Sequence, residues 1–545
     1  MKIALAQLNY HIGNFQYNTD KIIEVLKEQK KGGTHLVVFS ELSVCGYPPR
    51  DFLEYEAFVE ICEASAQKIS AETQGIACII GLPIKNPLPK GKDLFNAAYF
   101  IENGKVSATV KKALLPTYDI FDEYRYFEPS LEFSCIDFMG YKIALTICED
   151  LWNFGDNPLY TICPMDELIK QQPDLMINIA ASPFNYNQDK LRMEILQQNC
   201  LKYNLPLFYV NHVGAQTELI FDGGSAVLDK EGKLVSKFKY FEEQVEAFEF
   251  ENMPVMLADQ SAAKPSDIEQ IYHALVLGVK DYFRKSGFFK ATLGLSGGID
   301  SALVCALAAD ALGAENVMAV LMPSKYSSDH SIADAEQLVK NLGCKSMNLP
   351  ISSIVQSFEE ALKPAFNNLP SNIAEENLQA RSRGVLLMAI SNKLGYVLLN
   401  TSNKSETAVG YGTLYGDMCG AIAVIGDCYK TQVYQLCNYI NREREIIPQN
   451  TIAKPPSAEL RLNQKDSDSL PDYDLLDKVL YQYIEETKSA AEIIGMGYSS
   501  EIVKRVLNMV NNAEFKRYQT PPILRISPKA FGMGRRMPIV GKHLA

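Results

Sequence analysis

Apolar residues along the chain fall into short runs, separated by longer stretches in which they recur every three or four positions. In the first half, "KIALAQL", "HLVVFSEL", "ACIIGLPI", "YKIALTIC", "LMINIAASP" and "LFYVNHVG" read as strands. Several are apolar at consecutive positions, as strands buried on both faces are. Residues 18–31 have helical spacing, with Ile22, Ile23, Val25 and Leu26 set among charges. From about residue 218 the turn signals Asp-Gly-Gly and Lys-Glu-Gly separate β-rich segments, which predicts a hairpin-rich edge closing a first domain.

Periodicity lapses in "ENMPVMLADQSAAKPSD", a linker expected at 251–267, which leaves domains at 1–250 and 268–545. After it, "IEQIYHALVLGVKDYFRKSG" predicts a helix ending at Gly287. Strands at "ENVMAVLMPS", "KSMNLPI" and "LGYVLLNTSN" then alternate with helical patterns, the signature of a doubly wound α/β sheet. Residues 455–475 are polar and proline-marked and predict a long functional loop.

Composition narrows the class. At 545 residues the chain exceeds one hydrophobic core, and 47% hydrophobic with 22% charged residues describes an ordinary globular protein. A net charge of −12 argues against a nucleic-acid partner. The apolar runs fall short of a bilayer span, the opening segment reads as a strand rather than a leader, and no membrane association is expected. Twelve cysteines without a CxxC pair point to reduced thiols in the cytoplasm.

The first chemical signal is "LGLSGGIDSAL", where a strand at 291–295 meets a helix beginning near Ile299. Glycines let the backbone approach an anion, and the helix N-terminus offers free N–H groups. Asp300 adds a carboxylate suited to a divalent cation bridging phosphates, and Ser301 a hydroxyl. A loop with this job in a P-loop enzyme carries a Lys, which is missing here. The full SGGxDS at a strand-to-helix junction resembles the PP-loop of ATP pyrophosphatases. That resemblance implies cleavage between the α and β phosphates, adenylation of a carboxylate or carbonyl, and displacement of AMP by a nitrogen or sulfur nucleophile.

The second signal lies at strand ends of the first half. Cys148 follows a buried strand, where a thiol can project into a cleft and the next N–H can face an oxyanion. Glu41 ends "HLVVFSE", and Lys112 precedes Leu-Pro in "VKKALLPTYDIF". Together they resemble the Glu–Lys–Cys constellation of the nitrilase (carbon–nitrogen hydrolase) superfamily. In that family the Glu is general base, the Lys stabilises the tetrahedral intermediate, and the Cys forms a thioester. The fold implied is an α/β/β/α sandwich.

An amidase joined to a PP-loop domain resembles the glutamine-dependent NAD(+) synthetase family. Further similar stretches are "VNHVGAQTELIFDGGS", "NTSNKSETAVGYGTLYGDM", "KPPSAELRLNQKDSDSLPDYDLLD" and "FKRYQTPPILRISPKAFGMGRRMPI". The resemblance implies that glutamine is hydrolysed at Cys148. The ammonia then travels through the protein to deamido-NAD adenylated with ATP and Mg²⁺, yielding NAD⁺, AMP, diphosphate and glutamate. It also implies roles by position. Tyr118, Ser182 and Gln188 contact glutamine, although Gln188 stands where the family commonly has a basic residue, with Lys190 and Arg192 just beyond. Gly294, Leu295, Ser296, Gly297, Gly298, Ile299, Asp300, Ser301, Thr401 and Lys430 bind ATP. Asn377, Glu406, Asp417 and Lys516 bind deamido-NAD, and Asp300 and Glu406 are the metal carboxylates. A homo-oligomer is implied, with small-molecule substrates as its ligands.

Other readings stay open at this level. Asp417 also suits a turn cap, His212 lacks metal-ligand spacing and reads as structural, and Arg535–Arg536 suits a phosphate grip, a subunit contact or a solvated turn. The same amidase feeding another adenylated acceptor is the main alternative function. A nucleotide sensor with a dead amidase is a third, against which Glu41, Lys112 and Cys148 count.

Overall fold

Strand alternation in the first half builds two sheets that share one core. In the computed structural model, described for residues 1–154, 159–252, 266–367, 369–462 and 464–541, the chain forms two compact units, Met1–Lys264 and Pro265–Ala545. Most of the expected linker, 253–265, lies outside the described residues.

The first unit runs β1 (Lys2–Gln7), α1 (Phe15–Lys31), β2 (Leu36–Phe39), α2 (Glu56–Ala71), β3 (Ala77–Lys85), β4 (Leu94–Glu102), β5 (Lys105–Lys111), β6 (Ile136–Phe138) and β7 (Tyr141–Ile147). It continues with α3 (Pro164–Leu168), β8 (Leu175–Ile179), α4 (Gln188–Tyr203), β9 (Leu207–Val210), β10 (Val213–Gln216), β11 (Leu219–Asp222), β12 (Ala226–Leu228), β13 (Leu234–Lys237) and β14 (Gln244–Glu249). One sheet has the order β14-β1-β2-β3-β4-β5 and the other β13-β12-β9-β8-β7-β6. Ile3, Leu5, Leu36, Val38, Ala77 and Ile79 alternate along the first sheet and meet Ile143, Leu145, Ile177 and Phe208 of the second in one core. The intervening residues of each strand face the other way and are buried too, so the runs are apolar throughout.

Two expectations are refined here. "LFYVNHVG" is two strands, because Asn211 and His212 break the run to bond elsewhere: Asn211 to Ser182 and Gly223, and His212 Nε2 to the Glu41 carbonyl at 2.6 Å. The closing edge contains the β10–β11 and β12–β13 hairpins, but β14 crosses to the other sheet and pairs antiparallel with β1.

The second unit runs α5 (Asp267–Ser286), β15 (Ala291–Gly294), α6 (Ile299–Leu312), β16 (Val317–Leu321), α7 (Asp329–Leu342), β17 (Lys345–Asn348), α8 (Ser352–Phe366), α9 (Ile373–Leu394), β18 (Val397–Asn400), α10 (Lys404–Val409), β19 (Ile422–Ala423) and α11 (Lys430–Ile440). It ends in α12 (Gln449–Ala453), α13 (Tyr473–Ile484), α14 (Ala490–Gly495), α15 (Ser500–Asn512) and α16 (Glu514–Arg517). Helix α5 starts at the Ser266 cap and stops at Gly287, whose left-handed φ of 74° favours a residue without Cβ. Five parallel strands in the order β17-β16-β15-β18-β19 make the sheet. Strand order reverses around β15, so the crevice at its C-terminal end is where such sheets bind ligands. No described helix is long and apolar enough to cross a membrane.

Candidate active sites

In the first unit the ends of β2, β5 and β7 deliver Glu41, Lys112 and Cys148, all buried. Lys112 Nζ donates to Glu41 Oε1 at 2.7 Å and to Glu123 at 2.8 and 2.9 Å. Glu41 also accepts from Asn96 Nδ2 (2.7 Å) and from the Ala181 N–H (3.0 Å), which fixes both carboxylate oxygens. Asp150 accepts from the N–H groups of Ala113, Leu114 and Ile147, stapling the segment after Lys112 to the turn that carries the thiol. Cys148 itself has φ 46°, a left-handed backbone at the point where strand becomes turn.

Electrostatics set the resting state. Burial pushes the Cys148 thiol up, Glu41 adds to this, and Lys112 offsets it in part, so the sulfur is protonated at neutral pH. Burial alone would strip the Lys112 proton, but Glu123 and Glu41 outweigh it and hold the ammonium charged. The cluster thus pairs a protonated thiol with a fixed carboxylate and a fixed cation.

Beside the thiol, Glu149 accepts from Tyr118 Oη at 2.9 Å and from Tyr160 Oη at 3.2 Å, and burial raises its proton affinity. Ser182 follows the Ala181 N–H that holds Glu41 and is locked to Asn211. Gln188 opens α4, and its Oε1 accepts from Asn185 at 3.1 Å. Neither basic neighbour replaces it in that loop. Arg192 is fully buried and forked onto Asp222 (3.0 and 2.6 Å), while Lys190 is exposed.

In the second unit the phosphate loop closes tightly. Ser296 Oγ accepts from the Gly298 N–H at 3.2 Å, and Ser301 Oγ donates to the Gly298 carbonyl at 3.0 Å. Gly297 has φ 83°, and a Cβ there would lie 2.1 Å from the Ser331 carbonyl, so this position requires glycine. Asp300 stands on the first turn of α6, where Oδ1 accepts from Asn403 (2.9 Å) and Oδ2 pairs with Lys430 (2.5 Å). Lys430 lies 3.4 Å from Glu406 as well.

A cavity of about 210 Å³ is lined by Ser296, Gly298, Ile299, Asp300, Ser301, Thr401, Glu406, Asp417 and Lys430, which brings most of the ATP and metal expectations together. A second, of about 240 Å³, takes Gly294 and Leu295 and shares Ser296, Thr401 and Asp417 with the first. Asp417 is both cap and wall: its Oδ1 accepts from the Thr413 N–H at 2.6 Å. Thr413 Oγ1 donates to Asn377 at 2.9 Å, and Lys516 donates to the carbonyls of Gly410 and Gly412 at 2.7 and 2.8 Å. A small third cavity holds Lys516 beside Glu406.

The donors fit magnesium. Asp300 and Glu406 offer hard carboxylate oxygens, and Mg²⁺ takes one or two carboxylates together with phosphate oxygens and water. Glu406 is pushed up to about 8 by burial and by Asp300, the state of a carboxylate short of positive charge. Among the described residues no group of three or more His, Cys, Asp or Glu is arranged to hold a metal without such outside ligands.

Sequence reasoning missed Glu123, Asn96, Glu149 and Asp466. The first three carry no local signal. Asp466 lies in the loop singled out at 455–475, lines the first cavity, and accepts from Tyr473 (2.9 Å) and Tyr411 (3.3 Å). The Arg535–Arg536 pair is divided: Arg535 is buried against Glu514 at 2.7 Å and therefore serves the fold, while Arg536 is exposed.

A two-sheet unit with a Glu–Lys–Cys cluster, and a parallel-sheet unit built around a phosphate loop, define a carbon–nitrogen hydrolase joined to a nucleotide-dependent synthase. Residues 2–249 match the carbon-nitrogen hydrolase family and 271–520 the NAD synthase family. The chain is 46% identical to a glutamine-dependent NAD(+) synthetase of Synechocystis sp., covering 98% of each, and 39% identical to one of Thermotoga maritima, covering 99% of each. A solved glutamine-dependent NAD+ synthetase from Acinetobacter baumannii, in complex with ADP, is 38% identical over 99% of this chain and 98% of that one, with a TM-score of 0.79. The chain belongs to the glutamine-dependent NAD(+) synthetase family, and it is a ligase.

Proposed function

We propose that this chain amidates deamido-NAD to NAD⁺ with ammonia taken from glutamine. Residues 1–250 are the amidase, 251–267 the linker and 268–545 the synthetase. The observation that carries the reading is that one chain holds both a caged Glu41–Lys112–Cys148 cluster and a phosphate loop ringed by Asp300, Glu406 and Lys430.

In the amidase, Glu41 takes the Cys148 proton as sulfur attacks the glutamine side-chain amide. The proton is passed to the departing nitrogen, which leaves as ammonia. Lys112 and the N–H that follows Cys148 stabilise the oxyanion. Water, deprotonated by Glu41, then cleaves the thioester and frees glutamate. Glu149, set beside the thiol and bonded to Tyr118, suits the α-ammonium of glutamine, with Ser182 and Gln188 as further contacts.

In the synthetase the loop Gly294–Ser301, with Thr401 and Lys430, holds ATP, while Asn377, Glu406, Asp417 and Lys516 serve deamido-NAD. Asp300 and Glu406 would hold magnesium, which would supply positive charge to offset that of the phosphates. Lys430 neutralises charge on the phosphates as the nicotinate carboxylate is adenylated and diphosphate leaves. Ammonia is channelled to that adenylate, because in open water it would be protonated and lost; its attack releases AMP. The enzyme works in the cytoplasm as a homo-oligomer on small-molecule substrates.

Purified protein supplied with glutamine, ATP, Mg²⁺ and deamido-NAD tests this. NAD⁺, AMP and glutamate should accumulate in equal amounts. Failure to form NAD⁺ from either glutamine or ammonium would sink the proposal.

A further inference from the structure

The cavity of about 240 Å³ beside the phosphate loop is walled largely by apolar groups, among them Val320, Leu387 and Leu398. Among the described residues lining it, Arg383 is the single cation. It projects from α9, and its Nε donates to the carbonyl of Met322, just past β16, at 3.1 Å. That bond uses one of five N–H groups and fixes the plane of the guanidinium, leaving the Nη fork open.

The two nearby carboxylates do not close the fork. Glu459 and Asp417 act on the Arg383 charge through space, but each is committed elsewhere. Glu459 accepts from the hydroxyls of Ser328 and Ser331, both at 2.8 Å, and Asp417 accepts from the Thr413 N–H. Arg383 is half-buried by surface area, yet burial pushes its proton affinity down to about 10, against the pull of those two acids. It remains charged at neutral pH, and a desolvated cation with unused donors gains most from an anion brought to it.

Position selects which anion. Glu459 and Asp417 line both this cavity and the phosphate-loop cavity, so the guanidinium beside them faces the junction. A nucleotide with its base in the apolar slot and its terminal phosphates on the loop places its α-phosphate at that junction. We propose that Arg383 is a further nucleotide-binding residue, its fork gripping the α-phosphate of ATP and, after adenylation, the phosphate of the AMP ester. The inference rests on the reading of the phosphate loop as an ATP site. Lysine would be a poor substitute, because the Nε anchor and the planar fork are used together.

The alternative is that Arg383 only clamps the Met322 carbonyl. Calorimetric titration of the full-length protein with AMP and with adenosine separates the two. Wild type should bind AMP more tightly than adenosine. In Arg383→Gln the AMP affinity should fall about 10- to 100-fold, with adenosine within about twofold of wild type. Arg383→Lys should lose about 10-fold on AMP alone and decides the matter should the Gln variant not fold, with a wild-type-like unfolding transition of the second unit reporting its intact fold. An unchanged preference for AMP in either folded variant, or a parallel loss of both ligands, would overturn the proposal. Wild-type protein that binds neither AMP nor adenosine would instead overturn the ATP-site reading beneath it.

Discussion

The Lys430 ammonium lies 2.5 Å from Asp300 Oδ2 and 3.4 Å from Glu406 Oε1, with the Tyr473 ring 5.2 Å away. One positive charge therefore serves two half-buried carboxylates. Glu406 is the one left short, held up to about 8 by burial and by Asp300 while Lys430 only partly offsets them.

Glu406 therefore favours its protonated form at neutral pH, and on the proposed reading it should give up that proton when magnesium and nucleotide bind. Affinity for Mg·ATP should rise with pH, by up to tenfold per unit, between about pH 6 and about pH 8, and then level off. Titration calorimetry in buffers of different ionisation heat should detect one proton released, and Glu406→Gln should abolish both the slope and the release. The sign for stability is opposite. The folded chain binds this proton more tightly than the unfolded one, so the contribution of Glu406 declines as pH rises from 4.5 to about 8.

Cys148→Ala should abolish NAD⁺ formation from glutamine and leave formation from added ammonium within about twofold of wild type, since only the thiol chemistry is removed. Parallel assays with the two nitrogen sources check it. Full glutamine use by that variant would remove Cys148 from the mechanism.

Glu41→Gln should have two effects of opposite appearance. Glutamine hydrolysis should drop about 10²- to 10⁴-fold for want of the base. The Cys148 thiol should at the same time ionise at lower pH, because the carboxylate that raises its proton affinity is gone while Lys112 remains. Thiolate absorbance, read against the corresponding Cys148→Ala protein, should shift to lower pH; a shift upward would contradict the arrangement.

Lys404 is fully buried, bonding to Asp427 (2.9 Å), Glu485 (2.8 Å) and Ser527 Oγ (2.7 Å), and so ties α10 to the end of α13 and to the C-terminal segment. Lys404→Met strands two buried carboxylates and should destabilise the second unit by about 3–5 kcal/mol in denaturant unfolding. Adding Asp427→Asn should recover part of the loss.

What the sequence made legible follows from how local each cause is. Buried strands, the Gly287 helix stop and the SGGxDS turn are written in adjacent residues, and the fold returns them closely. β5 carries no strand signal in the sequence, since it is largely exposed and lacks the apolar run that marks the buried strands. Glu123 is one of two adjacent acids in "IFDEYRYF", and only the folding of its loop onto Lys112 distinguishes it. Arg535 carries no mark in the sequence that sets it apart from Arg536, and only the fold pairs its Nη1 with Glu514.

The left-handed backbone at Cys148 bears on how this protein can change. A side chain held at φ 46° carries strain of about 1–3 kcal/mol that glycine would escape. On the proposed mechanism, a sturdier backbone at that residue is therefore one without the nucleophile. A glycine there would give a more durable protein unable to draw nitrogen from glutamine. Persistence and turnover are thereby set against each other at a single peptide unit.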